Sequence, residues 1–144
     1  INTTDMQGIA LRYGFFYGPH TWYDPEGAFT THMRRGEVAI IGAGRSVFSF
    51  IHVEDAAAAT VSALTAPKGI YNVVDDQPLR VQAWLPAYAR WVGAPPPGHM
   101  DAQTAMQQLG PESVYYQNQL DGASNHKARR VLGLNPRPQP WGVV

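Results

Sequence analysis

The chain has 144 residues and no cysteine, so it is the size of one compact domain without disulfides. Its 11 basic and 11 acidic side chains balance to a formal net charge of +0, which argues against a nucleic-acid or anionic-membrane partner. Hydrophobic residues form 44% of the chain and charged residues 15%, as in globular proteins. No apolar stretch approaches the roughly 20 residues that span a bilayer, and no signal peptide is recognisable at the start. We therefore expect a cytoplasmic protein.

Strand and helix signals alternate along the chain. Short apolar runs bounded by glycine or proline predict strands at 8–13, 38–41, 48–53 and 70–74. Periodic or alanine-rich segments with capping signals predict helices at 26–35, 54–64, 81–92, 102–109 and 124–132. The aromatic segment 15–25 is predicted as a loop and 94–98 as a stiff proline-rich connector, while 111–122 gives no clear signal. The alternation favours an α/β fold, and the long crossover from 8–13 to 70–74 allows these two strands to be parallel neighbours.

Several patterns that carry chemistry are absent from the sequence. The five histidines are scattered without metal-ligand spacing, and without cysteine we expect no metal site. The close glycine pair of Gly42-Ala43-Gly44 lacks the third glycine of a dinucleotide fingerprint, since Val47 stands at that position. No tyrosine is followed four residues later by the lysine that would sharpen a catalytic tyrosine. We therefore predict no catalytic residue within this chain.

Two clusters stand out, each with a functional and a structural interpretation. The aromatic run from Tyr13 to Tyr23 follows the first strand, where open α/β sheets bind ligands, but it could also be a packed turn that covers the core edge. The sequence His52-Val53-Glu54-Asp55 lies where a strand meets a helix. Here we favour a structural role, with the acidic residues stabilised by the helix dipole.

Five segments carry a resemblance to one family, and they occur in that family's order. They are 11–19 (LRYGFFYGP), 41–44 (IGAG), 50–57 (FIHVEDAA), 70–78 (IYNVVDDQP) and 124–133 (SNHKARRVLG). Together they resemble the C-terminal half of an extended short-chain dehydrogenase/reductase, the NAD-dependent epimerase/dehydratase family. The resemblance covers nearly the whole chain and is weakest from 99 to 121.

The resemblance implies the C-terminal portion of a Rossmann-type fold without its dinucleotide-binding half. Residues 1–144 would form a single partial domain, in which 8–13 and 70–74 are the sixth and seventh strands of the parallel sheet. Segments 25–52 and 94–144 would lie mainly on the substrate side. The family's glycine-rich loop and Tyr-x-x-x-Lys pair precede the stretch seen here, so NAD or NADP would belong to a full-length parent and not to this chain alone.

The resemblance also implies site residues. The turn Tyr17-Gly18-Pro19 would lie against the nicotinamide end of the cofactor. The residues implied to face the substrate are Tyr13, Phe15, Phe16, His20, Trp22, Phe48 and Arg45. Phe15 stands where many sugar-nucleotide members carry asparagine, and Phe48 where they carry an arginine that pairs with the diphosphate. Because a phenyl ring cannot replace that cation, we expect a less charged small molecule and not a sugar nucleotide, although Arg45 could compensate.

These observations leave three functional hypotheses. The chain could be the substrate-binding part of an NAD(P)-dependent epimerase, dehydratase or reductase that is inactive alone. It could instead be a stand-alone oligomeric small-molecule-binding or interaction module without catalysis, or a stable proteolytic core without activity. In each case strand 8–13 would present an unpaired edge, so we expect a homo-oligomer through this edge or association with a missing N-terminal half.

Overall fold

The computed structural model describes residues 8–142, which form an α/β fold of eight short strands and six helices. The strands are β1 (Ile9–Tyr13), β2 (Phe15–Tyr17), β3 (Ala39–Ile41), β4 (Val47–Phe48), β5 (Phe50–His52), β6 (Gly69–Val73), β7 (Leu79–Arg80) and β8 (Gly98–Met100). The helices are α1 (Ala28–Arg34), α2 (Val53–Ala63), α3 (Val81–Trp91), α4 (Ala102–Gln108), α5 (Pro111–Asn118) and α6 (His126–Leu132). None of these helices is long and apolar enough to cross a membrane.

The parallel pair β1–β6 confirms the predicted neighbours, with Ile9 opposite Gly69 and Tyr13 opposite Val73. One face of this pair packs on α2 and α6 through the buried side chains of Tyr71 and Val73. The other face is open in the described residues, and Ile70 there is 47% exposed. In a doubly wound sheet, helices cover both faces. In the described residues, helices cover only one face of this pair.

Strands change partners at the end of β1, which the sequence did not predict. The predicted loop at 15–25 begins as β2, which runs parallel to β5 with Phe15 opposite Phe50. The predicted single strand at 48–53 is divided, because β4 pairs antiparallel with β7 while β5 pairs with β2. Ser49 lies at the division, and its carbonyl accepts the Phe15 N–H at 2.9 Å. This change of strand partners places the aromatic run beside β4 and β5.

The remaining part of the chain forms a small lobe around β3. The predicted connector at 94–98 leads into β8, which pairs parallel with β3. The opposite edge of β3 is occupied by the Gln117 side chain of α5, which accepts from Ile41 N–H at 2.8 Å and donates to the Ala39 carbonyl at 2.9 Å. The amide of one side chain thus takes the place of a neighbouring strand and fixes α5 against β3.

A dense aromatic core joins this lobe to the parallel strands. Its centre is α3, whose buried face carries Trp84, Leu85 and Tyr88 as the apolar periodicity predicts. Phe50 from β5 and Trp141 from the C-terminal segment pack on α3. The centroids of the Phe50 and Trp141 rings lie 5.1 Å apart. Tyr88 also shares a buried hydrogen bond with Thr30 of α1 at 2.7 Å. These contacts position the elements that carry the candidate site.

Candidate functional site

Two of the predicted substrate residues form a stacked aromatic pair. The rings of Phe15 and Phe48 lie 4.3 Å apart with an interplanar angle of 13°. Phe48 is 5% exposed, and Phe15 is half-buried against Tyr23 and Phe50. The two positions meet because β2 runs beside β5 directly after β4 ends. The Phe15 side of the pair presents an apolar wall to a depression that Arg12 also lines.

Three other predicted substrate residues line an open depression of about 670 Å³ that Phe15 also borders. They are Phe16, His20 and Trp22. Trp22 is 54% exposed. His20 adopts a φ of +63°, and its backbone N–H donates to the Asp24 carboxylate at 2.7 Å. The aromatic run therefore divides between a buried wall and an exposed surface.

Of the last two predicted substrate residues, Tyr13 packs against Phe16 with ring centroids 5.3 Å apart, whereas Arg45 lies apart from both groups. Tyr13 is half-exposed at the end of β1, where its hydroxyl shares a hydrogen bond with Thr60 of α2 at 2.5 Å. Arg45 is exposed in the turn that precedes β4. It lines neither the depression around Trp22 nor the one beside Tyr13 and Phe15.

The turn Tyr17-Gly18-Pro19 offers mainly its backbone to a ligand. The Tyr17 ring is 3% exposed, and its hydroxyl donates to the Arg137 carbonyl at 3.4 Å. Gly18 has a φ of +106°, and a Cβ there would lie 2.7 Å from His52 Nε2. The peptide is thus pressed against the imidazole, which leaves the Pro19 ring as the exposed part of the turn.

His52 is the N-cap of α2, and its imidazole ring packs against this turn. Its Nδ1 accepts the Glu54 N–H at 3.2 Å, and its ring meets the Tyr17 ring edge-on at 5.1 Å. Burial, followed by the neighbouring Arg137 charge, lowers the pKa of His52. A neutral imidazole is the state that can cap the helix. This geometry agrees with the structural role that we favoured for the His52–Asp55 cluster, and it shows that the same cluster shapes the turn.

A C-terminal strap, residues 136–141, completes this side of the molecule and was missed by the sequence analysis. Arg137 donates from Nη2 to Asp55 at 2.8 Å and from Nη1 to Glu54 at 2.9 Å, at the start of α2. Although burial acts to raise it, the pKa of Asp55 is lowered by these Arg137 hydrogen bonds. The alternating prolines of the strap indicate an extended segment, but nothing in the sequence shows which acid Arg137 would meet.

The second anchor of the strap is a buried amide. Gln139 is 4% exposed, and its Nε2 donates to Asp75 at 2.8 Å. The other Asp75 oxygen accepts the Gln77 N–H at 2.9 Å. Burial nevertheless raises the pKa of Asp75 to about 6. An aspartate that follows a strand and titrates close to neutrality could not be distinguished in the sequence from its exposed neighbour Asp76.

Comparison with known proteins shows the family of the chain. A profile of the NAD dependent epimerase/dehydratase family matches residues 1–74. The chain belongs to this family. Among curated proteins, a 3-diazoavenalumate denitrifying reductase from a Streptomyces species is 37% identical over 142 residues. That alignment covers 98% of the chain but 47% of the reductase, so the chain spans about half the length of the curated relative that it matches.

Solved structures of epimerase-type proteins share the fold. A human epimerase family protein crystallised with NADPH matches with a TM-score of 0.72 and 18% identity, over 94% of this chain and 46% of that one. UDP-glucose 4-epimerase from Thermotoga maritima matches with a TM-score of 0.66 and 24% identity, over 94% and 43%. A protein of unknown function from Silicibacter pomeroyi is 28% identical with a TM-score of 0.68, over 92% and 44%. The described fold is therefore part of a Rossmann-type protein, and its relatives include proteins that bind NAD or NADPH.

Proposed function

We propose that the chain is the substrate-side part of an NAD(P)-dependent reductase whose substrate is a small, largely apolar aromatic molecule. The observation that carries this proposal is the Phe15–Phe48 stack, with ring centroids at 4.3 Å. By the family resemblance, many sugar-nucleotide members carry asparagine and arginine at these two positions. The aromatic wall removes the bidentate partner of a diphosphate and offers a ring face in its place.

The kind of reaction is supported by the 37% identical relative, a reductase that acts on 3-diazoavenalumate. When bound, NAD(P)H supplies a hydride, becomes NAD(P)+ and leaves the substrate reduced by two electrons. The residues of this chain hold and orient the nicotinamide and the substrate. The Gly18 backbone and Pro19 fit one face of the nicotinamide, while Phe15 and Phe48 limit where the substrate can lie. We place the acid–base tyrosine and the phosphate-binding loop outside this chain, which we propose is inactive by itself.

The activity can be tested by joining the chain to the portion of the Streptomyces reductase that it does not match. We expect this chimera to oxidise NADPH when 3-diazoavenalumate is present, and the chain alone to oxidise none. UDP-glucose should not slow the reaction, because Phe48 stands where the resemblance places the arginine that pairs with the diphosphate. NADPH fluorescence reports whether the portion from the Streptomyces reductase is folded and binds NADPH. A chimera that binds NADPH but does not reduce 3-diazoavenalumate would contradict the proposal.

A further inference from the structure

A depression of about 580 Å³ opens where β1 and β6 end, and one charged side chain lines it. Its apolar lining includes Phe15, Val74 and Leu120. The charged side chain is Arg12 of β1, and Ser49 is among the polar residues beside it. Within residues 8–142, no acidic side chain and no second cation borders this space. A depression of this size holds a small molecule, and its single positive charge favours an anionic one.

The guanidinium of Arg12 is free to meet such a ligand. Arg12 is exposed, and it forms no ion pair with any acidic residue in the described part of the chain. Arg129 and Arg137, in contrast, are held by Asp76 and by Asp55. A guanidinium presents its N–H donors in a planar fork, which matches the two oxygens of a carboxylate or of a phosphate.

The polar residues around Arg12 are fixed by the fold. Asn72 lies opposite Arg12 in the β1–β6 register, and its Nδ2 donates to the Ser124 carbonyl at 3.1 Å. Ser49 is 7% exposed, and its Oγ accepts the Ala123 N–H at 3.0 Å. The Ser49 hydroxyl donates to no residue between 8 and 142, so its proton remains available. Arg12 and Ser49 thus offer donors, which suits a group that only accepts hydrogen bonds.

The apolar lining distinguishes between the possible anions. Phe15 follows Arg12 by three residues, so their Cα atoms lie at most about 11 Å apart. The Phe15 ring is held by its stack on Phe48 and by its edge contact with Tyr23. A ring that packs beside Phe15 can therefore carry a group that reaches Arg12. One guanidinium balances the single charge of a carboxylate but leaves a diphosphate with excess negative charge.

We propose that this depression binds an aromatic carboxylate, with the ring beside Phe15 and the carboxylate paired with Arg12. The Ser49 hydroxyl supplies a further donor in the same depression. The inference rests on the proposed function for the aromatic class of the substrate, and it adds the anionic group that selects among aromatic molecules. Pairing with Arg12 requires neither cofactor nor catalysis, so it can be measured on this chain.

The test uses two probes of nearly the same shape, cinnamate and cinnamamide, which differ in the charge of the terminal group. Binding is followed at pH 7 through the backbone N–H signal of Ala123 in proton–nitrogen correlation spectra, because this N–H is bonded to Ser49 in the depression. We expect cinnamate to bind about tenfold more tightly than cinnamamide, since only the ionised group forms a charged pair with Arg12. Added salt should reduce this ratio of affinities, because Arg12 is exposed to solvent.

Matched variants assign the ratio to Arg12. Arg12→Gln should abolish the preference for cinnamate, and Arg12→Lys should retain part of it, since lysine keeps the charge without the planar fork. Arg90→Gln is the control, because it removes the same charge from an exposed arginine of α3 that does not line the depression. It should leave the ratio as in the natural chain. The four indole N–H signals show in each spectrum whether the variant is folded.

The inference is overturned if neither probe binds, if both bind the natural chain equally well, or if Arg12→Gln and Arg90→Gln change the ratio to the same extent. Phe15→Leu separates the inference from the proposed function. It should weaken both probes by a similar factor and preserve their ratio. If it leaves both affinities unchanged while Arg12→Gln still abolishes the ratio, pairing with Arg12 is supported and the aromatic site of the proposed function fails.

Discussion

Asp75 shows how a single buried acid links the fold to pH. Its pKa is raised from 3.8 to about 6 by burial, with a further contribution from the nearby Asp76 charge. Between these two values the folded chain holds a proton that the unfolded chain has released, so the Asp75 contribution to the free energy of unfolding falls as pH rises. We expect Asp75→Asn to abolish this contribution. The difference in unfolding free energy between the natural chain and this variant should therefore change between pH 4 and about 7, measured by urea unfolding.

Other groups titrate in the opposite sense, which is why the difference between two chains is the informative quantity. The pKa of His52 is lowered, so its contribution to stability rises with pH below 6.5. The pKa of Asp76 is lowered by its Arg129 hydrogen bond, and its contribution is lost only in acid. Parallel stability curves for the natural chain and Asp75→Asn would show that Asp75 is not the buried acid described above.

Gly18 allows a second test at the residue scale. Gly18→Ala adds a Cβ 2.7 Å from His52 Nε2 on a backbone with φ of +106°. Gly36→Ala is the matched control, since Gly36 also has a positive φ of +70° but no atom within 4 Å of the added Cβ. We expect Gly36→Ala to cost about 1–2 kcal/mol from the backbone alone. Gly18→Ala should cost about 1–3 kcal/mol more because of the contact, as measured by denaturant unfolding. Equal costs would mean that His52 does not support the turn.

Single residues were predictable where the sequence itself limits their chemistry. The acidic start of α2 and the replacement of a cation by Phe48 could both be read from the chain and a family pattern. The raised pKa of Asp75 could not, because it depends on residues distant in sequence. Gln139 lies 64 positions from Asp75. Burial of this kind is a tertiary property, and it has no local signature.

At the scale of elements, the C-terminal strap carries a prediction of its own. The fork of Arg137 meets Asp55 through Nε and Nη2, and the Arg137 backbone N–H also donates to Asp55 at 2.9 Å. Arg137→Lys keeps the charge but loses the planar fork. We expect faster hydrogen exchange at the Arg137 and Gln139 amides, while the amides of α4 exchange as before. The change in stability should be small, about 1 kcal/mol or less, because Arg137 is half-exposed.

Arg129→Lys is the control for this variant. Arg129 of α6 forms an ion pair with Asp76, next to the Asp75 that Gln139 binds, and not with Asp55. Its replacement should leave the exchange of the Arg137 amide unchanged. If both variants accelerate exchange in the strap equally, or if neither does, Arg137 does not anchor this segment.

The elements that the sequence missed share one physical cause. Phe15–Tyr17 and Gly98–Met100 are strands because β5 and β3 lie beside them, and three residues carry too little periodicity to predict a strand alone. The predicted strand at 48–53 is divided because β4 and β5 have different partners, not because its composition changes at Ser49. Long elements with a regular apolar face, such as α3, were predicted correctly. The short strands depend on which partners they pair with in the folded chain.

For the whole molecule, the open side of the β1–β6 pair predicts association. Within residues 8–142, β1 pairs with β6 and with no other strand, and Ile70 is 47% exposed on the open face. We expect the chain to form dimers or larger assemblies at micromolar concentration, or to bind an N-terminal half through this sheet. Ile70→Lys should weaken that association in light scattering. Leu64→Lys alters another exposed side chain outside the sheet and should not. A natural chain that stays monomeric and binds no N-terminal half would contradict the prediction.

The overall fold and family were accessible from the sequence because five short segments occur in a fixed order, and the parallel pairing of 8–13 with 70–74 follows from that order. The arrangement of the site was not accessible. The seven residues that the resemblance placed towards the substrate do not all line one depression, since Phe15 shares one with Phe16, His20 and Trp22, which Phe48 and Arg45 do not border.

The most direct test of the reductase proposal is a calorimetric titration of the chain with 3-diazoavenalumate and with UDP-glucose. We expect 3-diazoavenalumate to bind at least about tenfold more tightly, the effect of about 1.4 kcal/mol from an aromatic wall that lacks a diphosphate partner. Phe48→Leu should reduce this preference, whereas Tyr115→Leu, on the exposed face of α5, should preserve it. Tighter binding of UDP-glucose, or a preference that Phe48→Leu leaves unchanged, would contradict an aromatic substrate site at Phe15 and Phe48.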